Sequence, residues 1–508
     1  MNSIAQPTVR VCAAITESTV EGARAAMQRA AACADMIELR LDYLRDLDFT
    51  RVESLRPLIE DPPLPTIITC RAVDEGGRQA IEDKIRLRLL IDGAKRYSVF
   101  CDVEAAHYHT AASMEPDQSR LIVSYHNFAE TPPDLEAVWE IVAALPAAIH
   151  KIVTMASDSS DSLAMFRLLD RAHHTNRPVI AMVMGEAGVA TRILGPSRGS
   201  YLTYGSLARG RESAPGQLTC EELREVYRIN RVSRNTIITG IIGSPVMHSV
   251  SPAIHNAAFN ELGMDYVYLP LQVRDLGEFI AKFVSPSSRE MHWNAGGFSV
   301  TLPHKSAIIP YLDVIDPAAS AIGAVNTIVV KEGRLEGHNT DAEGFIAPLL
   351  KVASLLGKRC AILGAGGAAR SVVHALKARG AIVTLFVRDE KKASDVFAAS
   401  EVNIEPIGSF PDSHSEIVIN STPIGMRGHS EGESPAPLGS MHGCEIAYDL
   451  VYNPLSTKFL EDAASQGCYT ISGLDMLIGQ AVLQFELWTG RNAPIEVMRA
   501  AALASLNP

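Results

Sequence analysis

Residues 9–205 of this 508-residue chain repeat one pattern eight times, and this repeat constrains the fold more than any other feature. Each repeat has a short β-branched or apolar run, then polar residues, then an amphipathic segment such as 21–34, 79–94, 135–145 or 162–173. Strands that alternate with helices imply parallel strands joined by crossovers. Eight units predict a closed (β/α)8 barrel, with an open doubly wound sheet as the alternative. The predicted strands are 9–15, 36–41, 66–70, 98–103, 121–125, 151–155, 179–184 and 201–204.

Charged and polar side chains occur within or directly after four of these strands. Burying an unpaired charge is costly, so a structural ion pair would explain any one of them. In (β/α)8 barrels, however, the C-terminal strand ends carry the chemistry. Charges gathered at that end favour a polyanionic or carboxylate-bearing ligand. The residues are Glu38, Arg40 and Asp42 in strand two, Arg71 and Glu75 after strand three, His126 after strand five and Lys151 in strand six.

Lys151 points most directly to chemistry, because Ile152 and Val153 follow it on a strand predicted to be buried. Partial desolvation favours the neutral amine, which can attack a carbonyl and form an imine. The alternative is a lysine whose ammonium extends to solvent at the barrel mouth, as most lysines do. From the strand alone, both interpretations stay open.

Six motifs in this region resemble type I 3-dehydroquinate dehydratase, in the order of that family, over residues 8–228. They are IELRLD (37–42), TCRAVDEGG (69–77), SYHNF (124–128), KIV (151–153), TRILG (191–195) and SAPGQ (213–217). The resemblance implies a (β/α)8 barrel that dehydrates 3-dehydroquinate to 3-dehydroshikimate through a lysine imine. It implies that Lys151 forms the imine, that His126 is the general acid and base, and that Glu75 supports His126. Arg192 would bind the substrate carboxylate, and the residues implied to hold hydroxyls and order the closing loop are Glu38, Arg40, Arg71, Ser213 and Gln217.

A second pattern begins after residues 228–235, a polar and basic stretch where we expect a domain boundary. Downstream, a short apolar strand runs into GAGGAAR (364–370) and then into a helical segment. Such a turn lets a pyrophosphate approach the backbone at a helix N-terminus, which predicts a dinucleotide site. The next predicted strand, 381–387, ends in Arg388, which accommodates a 2′-phosphate unless it is a solvated loop charge. The adjacent Asp389 favours the ribose of NAD.

This second half resembles shikimate dehydrogenase over residues 237–505. The motifs are GSPVMHSVSP (243–252), FSVTLPHK (298–305), GAVNT (323–327), GHNTD (337–341), NSTPIGM (420–426), DLVYNP (449–454) and GLDMLIGQA (473–481). The resemblance implies an α/β substrate domain and a Rossmann domain that uses NADPH to reduce 3-dehydroshikimate. It implies Lys305 and Asp341 as the catalytic pair. The implied substrate-binding residues are Ser249, Ser251, Thr301, Asn326, Tyr452 and Gln480, and the implied cofactor-binding residues are Gly364, Ala365, Gly366, Gly367, Ala368, Arg388, Thr422, Met426 and Gly473.

The two resemblances together predict an α/β protein in which a (β/α)8 TIM barrel is fused to a two-domain shikimate dehydrogenase. The implied function is bifunctional, with consecutive small-molecule substrates, 3-dehydroquinate and 3-dehydroshikimate. We expect the barrel at 1–230, the substrate domain at 236–342, the Rossmann domain at 343–470, and C-terminal helices that return to the substrate domain at 471–508.

Two alternatives for the function stay open. The first is an NAD-dependent dehydrogenase for quinate, because Asp389 departs from the Asn-Arg-Ser/Thr that the family usually carries after this strand. NADP remains the first expectation, with NAD as the alternative, and Ser251 and Thr301 fit shikimate rather than quinate. The second is a non-catalytic metabolite sensor on the same domains. Such a sensor should have lost catalytic side chains, yet Lys151 and Lys305 are present.

Composition excludes several classes of partner. Lys and Arg number 46 and Asp and Glu 58, so the net charge of −12 disfavours nucleic acid. The sequence has no apolar run long enough to span a membrane, and the start, residues 1–7, is not like a transit segment. Eight cysteines without a CxxC pair predict a reducing compartment, the cytoplasm, and no metal site. The oligomeric state stays open.

Overall fold

The computed structural model describes residues 9–175, 177–398, 400 and 402–506, which form two compact units. Unit 1 contains residues 9–238, 265–284 and 288–294. Unit 2 contains residues 239–264, 285–287 and 295–506. Residues 1–7, on which the prediction about a transit segment depends, lie outside the described residues.

Unit 1 contains the predicted barrel. Its strands are β1 (Val11–Ile15), β2 (Met36–Arg40), β3 (Thr66–Thr69), β4 (Phe100–Glu104), β5 (Leu121–His126), β6 (Ile149–Met155), β7 (Val179–Met184) and β8 (Thr203–Gly205). They form one parallel sheet in the order β7-β6-β5-β4-β3-β2-β1-β8. The ring closes where the N–H of Tyr201 donates to the carbonyl of Val179 at 2.7 Å. The prediction of a (β/α)8 barrel is confirmed, and each predicted run overlaps one strand, with β4, β5, β6 and β8 extending one or two residues beyond the predicted ends.

Helices connect the barrel strands. They are α1 (Val20–Ala30), α2 (Arg56–Ile59), α3 (Asp83–Tyr97), α4 (Tyr108–Ala112), α5 (Leu135–Ala143), α6 (Ser162–His174) and α7 (Val189–Leu194), with a π-helix at Glu222–Val226. The predicted segment 79–94 begins as a helix only at Asp83. Gln79 lies in the preceding loop because its Nε2 donates to the backbone carbonyls of Asp42 and Leu44.

The spacing of residues along the strands divides the barrel interior into layers. Met36, Ile67, Ile122 and Ile149 belong to one buried apolar cluster, and Phe100 packs against it. Because side chains alternate across a strand, the next inward positions lie two residues further along. These positions carry Glu38, Thr69, Asp102, Ser124 and Lys151, all buried. The strands thus direct a polar layer toward their C-terminal ends.

The second half of the chain continues with an α/β region. Its strands are β9 (Ile237–Gly243), β10 (Tyr266–Gln272), β11 (Asn294–Val300), β12 (Val314–Ile315), β13 (Thr327–Lys331) and β14 (Arg334–His338), and its helices are α8 (Ser251–Glu261), α9 (Leu276–Phe279), α10 (Pro317–Ile322) and α11 (Asp341–Leu350). Strands β9, β11, β13, β14 and β12 follow one another in this order in one sheet. Strand β10 and helix α9 belong to unit 1, where Trp293 packs on Phe166 with ring centroids 5.8 Å apart.

The remaining elements of unit 2 are a Rossmann-type layer structure and, after its last strand, two helices, of which the first packs on α8 with the rings of Phe485 and Phe259 5.3 Å apart. The strands are β15 (Arg359–Leu363), β16 (Ile382–Val387), β17 (Asn403–Pro406), β18 (Ile417–Asn420), β19 (Ile446–Asp449) and β20 (Tyr469–Ile471), and the helices are α12 (Gly367–Lys377), α13 (Glu390–Phe397), α14 (Lys458–Ser465), α15 (Gly473–Thr489) and α16 (Ile495–Leu506). The strands are parallel in the order β17-β16-β15-β18-β19-β20. In such sheets ligands bind where the strand order reverses, here outside the ends of β15 and β18.

Two candidate active sites

Lys151 lies inside the barrel with its ammonium between two carboxylates. Its Nζ is 3.1 Å from Glu38 Oε1 and 2.9 Å from Asp102 Oδ2. It also lies over the ring of Tyr204, 4.6 Å from the centroid. Only 4 % of the Lys151 side chain is exposed. The alternative of a lysine that extends to solvent is therefore wrong, because the amine is buried and held by opposite charges.

Arg71 shares one of these carboxylates. Its Nη2 donates to Asp102 Oδ2 at 2.9 Å, and its Nη1 donates to Ser124 Oγ at 2.9 Å and to Glu104 Oε1 at 3.3 Å. Burial alone would raise the pKa of Asp102, but the charges of Arg71 and Lys151 outweigh burial and hold this pKa well below its usual range. Asp102 therefore stays ionised as the common counter-charge of two cations.

His126 and Glu75 form a pair beside this network. His126 Nδ1 lies 2.9 Å from Glu75 Oε2. Burial lowers the pKa of His126, and the charges of Arg71 and Lys151 lower it further. Burial raises the pKa of Glu75 to about 7, although Arg71 opposes this. The imidazole is thus neutral at physiological pH and contacts a carboxyl group that titrates near neutrality, which suits general acid–base chemistry.

Two buried donors at this cavity have no acceptor. Arg192 is 1 % exposed, its Nε has no hydrogen-bond partner, and burial lowers its pKa to about 10. Gln217 Nε2 is also without a partner, while Gln217 Oε1 accepts the N–H of Ser213 at 2.7 Å. Buried donors without acceptors are costly and rare in native proteins. The pair therefore indicates a ligand with acceptor groups and negative charge.

The barrel cavity has a volume of about 60 Å³ and is lined by all nine residues predicted for the dehydratase. These are Glu38, Arg40, Arg71, Glu75, His126, Lys151, Arg192, Ser213 and Gln217. Asp42 is not part of the lining. It forms a bidentate ion pair with Arg40 at 2.9 and 2.8 Å, which is the structural role left open for a charge of strand two.

The sequence reasoning missed three charged residues of the barrel interior. Asp102 and Glu104 both lie on β4, where FCDVE (100–104) alternates acidic and apolar residues as strand two does. That alternation was the signal that could have found them. Arg86 reaches the same network from helix α3, with Nη1 2.8 Å from Glu104 Oε2 and 3.1 Å from the carbonyl of Cys70. Its contact could not be read from periodicity, because it depends on how α3 packs.

In unit 2, Lys305 and Asp341 lie in contact. Lys305 Nζ is 2.6 Å from Asp341 Oδ2, in the turn after β11 and at the first residue of α11. Asn326 Nδ2 donates to the other carboxylate oxygen, Oδ1, at 2.8 Å. Both carboxylate oxygens are thus engaged, so Asp341 fixes the ammonium at the cavity wall.

The cavity at this pair has a volume of about 350 Å³ and is lined by ten of the residues predicted for the dehydrogenase. These are Ser249, Ser251, Thr301, Lys305, Asn326, Asp341, Ala368, Tyr452, Gly473 and Gln480. Gln484 and Ser299 also line it and were missed, with Ser299 Oγ donating to Gln484 Oε1 at 2.8 Å. Gln484 follows Gln480 by four residues, so helical spacing could have placed both on one face of α15.

The other predicted cofactor residues lie at the C-terminal ends of β15, β16 and β18. Gly364 has φ +99°, and a Cβ there would come within 2.7 Å of Thr422 Cγ2. Gly366 is the N-cap of α12, and no side chain caps this helix. A turn whose one side chain is the methyl group of Ala365, before an uncapped helix N-terminus, leaves room and backbone N–H groups for a phosphate. The residues present therefore fit a dinucleotide. Gly364, Ala365, Gly366, Gly367, Thr422, Met426 and Arg388 make up this group.

Asp389 is the N-cap of helix α13. Its Oδ1 accepts the N–H of Lys392 at 3.0 Å. Asp, Ser and Thr are interchangeable at an N-cap, so the local structure accounts for an acidic residue at this position. Arg388 precedes it at the end of β16 and is exposed.

Across the described parts of the chain, no group of three His, Cys, Asp or Glu residues is arranged to hold a metal ion. Among the helices described above, none combines the length and the apolar character needed to cross a bilayer.

Comparisons with known proteins match one family in the first half of the chain and another in the second half. Family profiles match at residues 11–234 (Type I 3-dehydroquinase), 241–328 (Shikimate dehydrogenase substrate binding domain) and 473–503 (Shikimate 5′-dehydrogenase C-terminal domain). The bifunctional 3-dehydroquinate dehydratase/shikimate dehydrogenase of Arabidopsis thaliana, a chloroplastic protein, is 34 % identical over 489 residues, which cover 91 % of this chain and 79 % of that protein.

Two further relatives cover different shares of the chain. The shikimate biosynthesis protein AroDE of Chlamydia pneumoniae is 30 % identical, covering 94 % of this chain and 95 % of that one. The shikimate dehydrogenase (NADP(+)) of Moorella thermoacetica is 42 % identical, covering 53 % of this chain and 93 % of that one. The chain therefore belongs to the family of bifunctional 3-dehydroquinate dehydratase/shikimate dehydrogenases.

Proposed function

We propose that this chain dehydrates 3-dehydroquinate to 3-dehydroshikimate in the barrel and reduces 3-dehydroshikimate to shikimate with NADPH in unit 2. One observation carries the proposal: the residues predicted to be catalytic for both reactions lie in contact within one chain. His126 and Glu75 are 2.9 Å apart beside Lys151, and Lys305 and Asp341 are 2.6 Å apart.

In the first reaction, Lys151 Nζ attacks the ketone of the substrate, and the carbonyl oxygen leaves as water to form an imine. The ammonium must first lose a proton. Glu38 Oε1 and Asp102 Oδ2 are the acceptors in reach, and Asp102 is a poor one because its pKa is held low. We therefore assign the proton transfer to Glu38.

His126 then removes a proton from the carbon next to the imine. The protonated imine withdraws electrons and makes this carbon more acidic. His126 acts as the base because burial keeps its imidazole neutral, and Glu75 orients the ring through Nδ1. The electrons left on the carbon form the new double bond as the neighbouring hydroxyl leaves. His126 returns its proton to that hydroxyl, which departs as water, and hydrolysis of the imine frees Lys151.

Arg192 binds the substrate carboxylate. Its buried guanidinium has no counter-charge among the described residues, so a carboxylate satisfies both its charge and its free Nε. Ser213 and Gln217 lie beside it, and Gln217 Nε2 supplies a further donor.

In the second reaction, NADPH held at the turn before α12 would supply a hydride to the carbonyl carbon of 3-dehydroshikimate. Lys305 donates a proton to the developing alkoxide, and Asp341 holds the ammonium in position. Ser249, Ser251, Thr301, Asn326, Tyr452 and Gln480 surround the substrate. The turn at 364–368, with Thr422, Met426, Arg388 and Gly473, holds the dinucleotide.

Further parts of the proposal concern organisation and location. We propose that the functional domains are 1–230, 236–342, 343–470 and 471–508. All eight cysteines are free thiols, which supports a reducing compartment, the cytoplasm. The proposed partners are small molecules, without nucleic acid, membrane or metal.

The test is turnover by the purified chain. We expect 3-dehydroquinate to be consumed without cofactor and NADPH to be oxidised once 3-dehydroquinate is present. Borohydride added with 3-dehydroquinate should leave a covalent adduct on the Lys151 peptide. Absence of turnover with either substrate would favour the sensor, and faster oxidation of quinate with NAD⁺ than of shikimate with NADP⁺ would favour the quinate enzyme.

A further inference from the structure

The ends of β18 and β19 carry two buried polar residues that are register partners. Asn420 and Asp449 lie opposite each other on the paired strands, and neither side chain is exposed. Both lie at the C-terminal edge of the sheet, the edge at which ligands of parallel α/β sheets bind. They belong to neither of the residue sets assigned above to substrate or cofactor.

Their polar atoms are all engaged. Asp449 Oδ1 accepts Asn420 Nδ2 and the N–H of Val451, both at 2.9 Å, and Asp449 Oδ2 accepts Thr457 Oγ1 at 2.5 Å. Asn420 Oδ1 accepts the N–H and the Oγ1 of Thr422 at 2.9 and 2.7 Å. Only one orientation of the Asn420 amide fits, because one side faces a carboxylate and the other an N–H donor.

These bonds tie together segments that serve different ligands. Thr422 lies against Gly364, since a Cβ on that glycine would come within 2.7 Å of Thr422 Cγ2. On the other side, the segment that begins at Val451 carries Tyr452, and Leu450 and Tyr452 both line the cavity of unit 2. The Asn420–Asp449 hydrogen bond thus joins the segment that lies against the cofactor turn to the segment that forms part of the substrate wall.

Stability alone does not explain a carboxylate at this position. Among the described residues, no Lys, Arg or His forms an ion pair with Asp449, and burial raises its pKa to about 6. A buried charge held only by neutral donors is often replaceable by a neutral group without loss of stability. A carboxylate offers a geometry that an apolar side chain does not. Its two oxygens accept hydrogen bonds from several directions at once, so it fixes three donors relative to one another.

We propose that the Asn420–Asp449 pair is a positioning element of the dehydrogenase that sets the distance between the bound dinucleotide and the substrate. The proposal rests on the dehydrogenase function proposed above. Because neither Asn420 nor Asp449 lines the cavity of unit 2, the loss of the pair should misalign the two ligands more than it weakens their binding. A displacement of about 1 Å in such an arrangement can cost about 10²-fold in rate.

The test compares Asn420→Ala, Asp449→Ala and Asp449→Asn with Ser415→Ala. Ser415 is a buried serine before the opposite end of β18, far along the strand from the ligands. We expect Asn420→Ala and Asp449→Ala to lower the dehydrogenase kcat about 10²-fold, with KM for NADPH and for 3-dehydroshikimate within about threefold. Asp449→Asn keeps an acceptor for Asn420 and Val451, so it should recover most of the rate. Ser415→Ala should leave both constants unchanged.

A kinetic isotope effect separates positioning from loss of folded protein. With NADPH deuterated at the transferred hydrogen, misaligned ligands make hydride transfer more rate-limiting, so the isotope effect on kcat should rise in Asn420→Ala. A mere loss of folded enzyme lowers kcat without changing the isotope effect. The dehydratase rate of the same sample reports on the barrel and should not change.

Four results would overturn the inference. One is a rise in KM for NADPH with kcat unchanged, which would make the pair a binding element. A second is a fall in kcat with an unchanged isotope effect. A third is an equal loss of rate in Asp449→Asn and Asp449→Ala. The fourth is a wild-type chain without dehydrogenase activity, which would refute the proposed function itself and is recognised before any variant is made.

Discussion

In the barrel, six buried charges form one connected network, whereas the cavity of unit 2 has a single ion pair among the described residues that line it, Lys305 with Asp341. The barrel network has three cations and three anions, so its charges balance without a ligand. Its members are Arg71, Arg86, Lys151, Glu38, Asp102 and Glu104. The barrel has more buried charges but the smaller cavity, with a volume of about 60 Å³ against about 350 Å³ in unit 2.

The difference reflects what each reaction needs from the protein. A covalent imine places the reactive nitrogen on the protein, so the barrel must hold one buried amine against fixed counter-charges and enclose one small molecule. Hydride transfer takes place between two ligands, so unit 2 needs room for both and little charge of its own. Arg192 is the exception in the barrel, because it is left outside the balanced network for the charge of the substrate.

The largest expected effect comes from Lys151→Arg. Arginine keeps the positive charge between Glu38 and Asp102, but its guanidinium stays protonated in proteins and cannot form the imine. We expect the dehydratase rate to fall by about 10⁴-fold or more, as in other enzymes that lose a covalent nucleophile. The measurement is kcat for 3-dehydroquinate, with borohydride trapping as a second readout.

The same exchange in unit 2 is the matched control. Lys305→Arg also keeps a cation beside its carboxylate, Asp341, but replaces an ammonium by a guanidinium, which is a weaker proton donor. The dehydrogenase should therefore lose about 10²-fold in rate, much less than the dehydratase loses in Lys151→Arg. In each variant the untouched activity reports on folding. Equal losses at the two lysines would mean that they do the same chemistry, and the contrast between the sites would be wrong.

Much of this fold could be predicted from the sequence, because it depends on local periodicity. Apolar runs at regular spacing predicted the eight barrel strands, and the glycine turn predicted the start of α12. The ends of helices are harder to predict from the sequence. The start of α3, for example, depends on side-chain contacts of Gln79 with another loop. Such contacts form only when segments distant in sequence are brought together.

The candidate sites were predictable where a residue type stands out on its strand, as Lys151 does. The rest of its network was harder to predict. The alternation on β4 could have indicated Asp102, which contacts Lys151, but Arg86 contacts Glu104 only because of how α3 packs. The Asn420–Asp449 pair depends in the same way on the register of β18 against β19. Sequence thus identifies the reacting groups more readily than the residues that hold them.

The next effect concerns Arg192, the buried cation that lies outside the balanced charge network of the barrel. Arg192→Met should raise KM for 3-dehydroquinate about 10²-fold, because the substrate carboxylate loses its charged partner. It should also stabilise the free barrel by about 1–3 kcal/mol, because a desolvated charge without a counter-charge is removed. Denaturant unfolding of the ligand-free protein measures the second effect.

Arg40→Met is the control for this pair of effects. Arg40 is buried like Arg192 but forms a bidentate ion pair with Asp42. Its loss leaves a buried carboxylate without its cation, so this variant should be destabilised. If Arg192→Met is destabilised to the same extent, the interpretation of Arg192 as an uncompensated charge is wrong.

Glu75→Gln should reveal a hidden pH dependence of barrel stability. In the folded wild type, Glu75 holds a proton up to about pH 7, whereas His126 holds none. In the unfolded chain the pKa of Glu75 is 4.5 and that of His126 is 6.5. Between these two pH values, the unfolded chain therefore holds a proton on His126 and none on Glu75. The pair binds one proton in both states there, so its two contributions cancel. In Glu75→Gln only the unfolded state takes up a proton, and stability should fall by about 1.4 kcal/mol per pH unit below pH 6.5.

Hydrogen exchange of barrel peptides measures this difference between wild type and variant, because it separates the barrel from unit 2. The dependence should appear only in the variant and only below pH 6.5. A wild type that loses stability over the same range as steeply as Glu75→Gln would show that the two residues do not titrate as a compensating pair.

The smallest effect is expected at the edge of unit 2, where charges are exposed rather than buried. Asp389→Ser keeps an N-cap for α13 and removes a negative charge beside Arg388. An exposed charge is worth about 0.3–1 kcal/mol, so the ratio of kcat/KM for NADPH to that for NADH should rise about two- to fivefold, and less at high salt. Asp389→Ala removes the same charge together with the cap. If the charge of Asp389 sets the cofactor preference, both variants should shift the NADPH/NADH ratio equally, although only Asp389→Ala loosens α13. If only Asp389→Ala shifts the ratio, the helix cap matters and the carboxylate does not act on the cofactor.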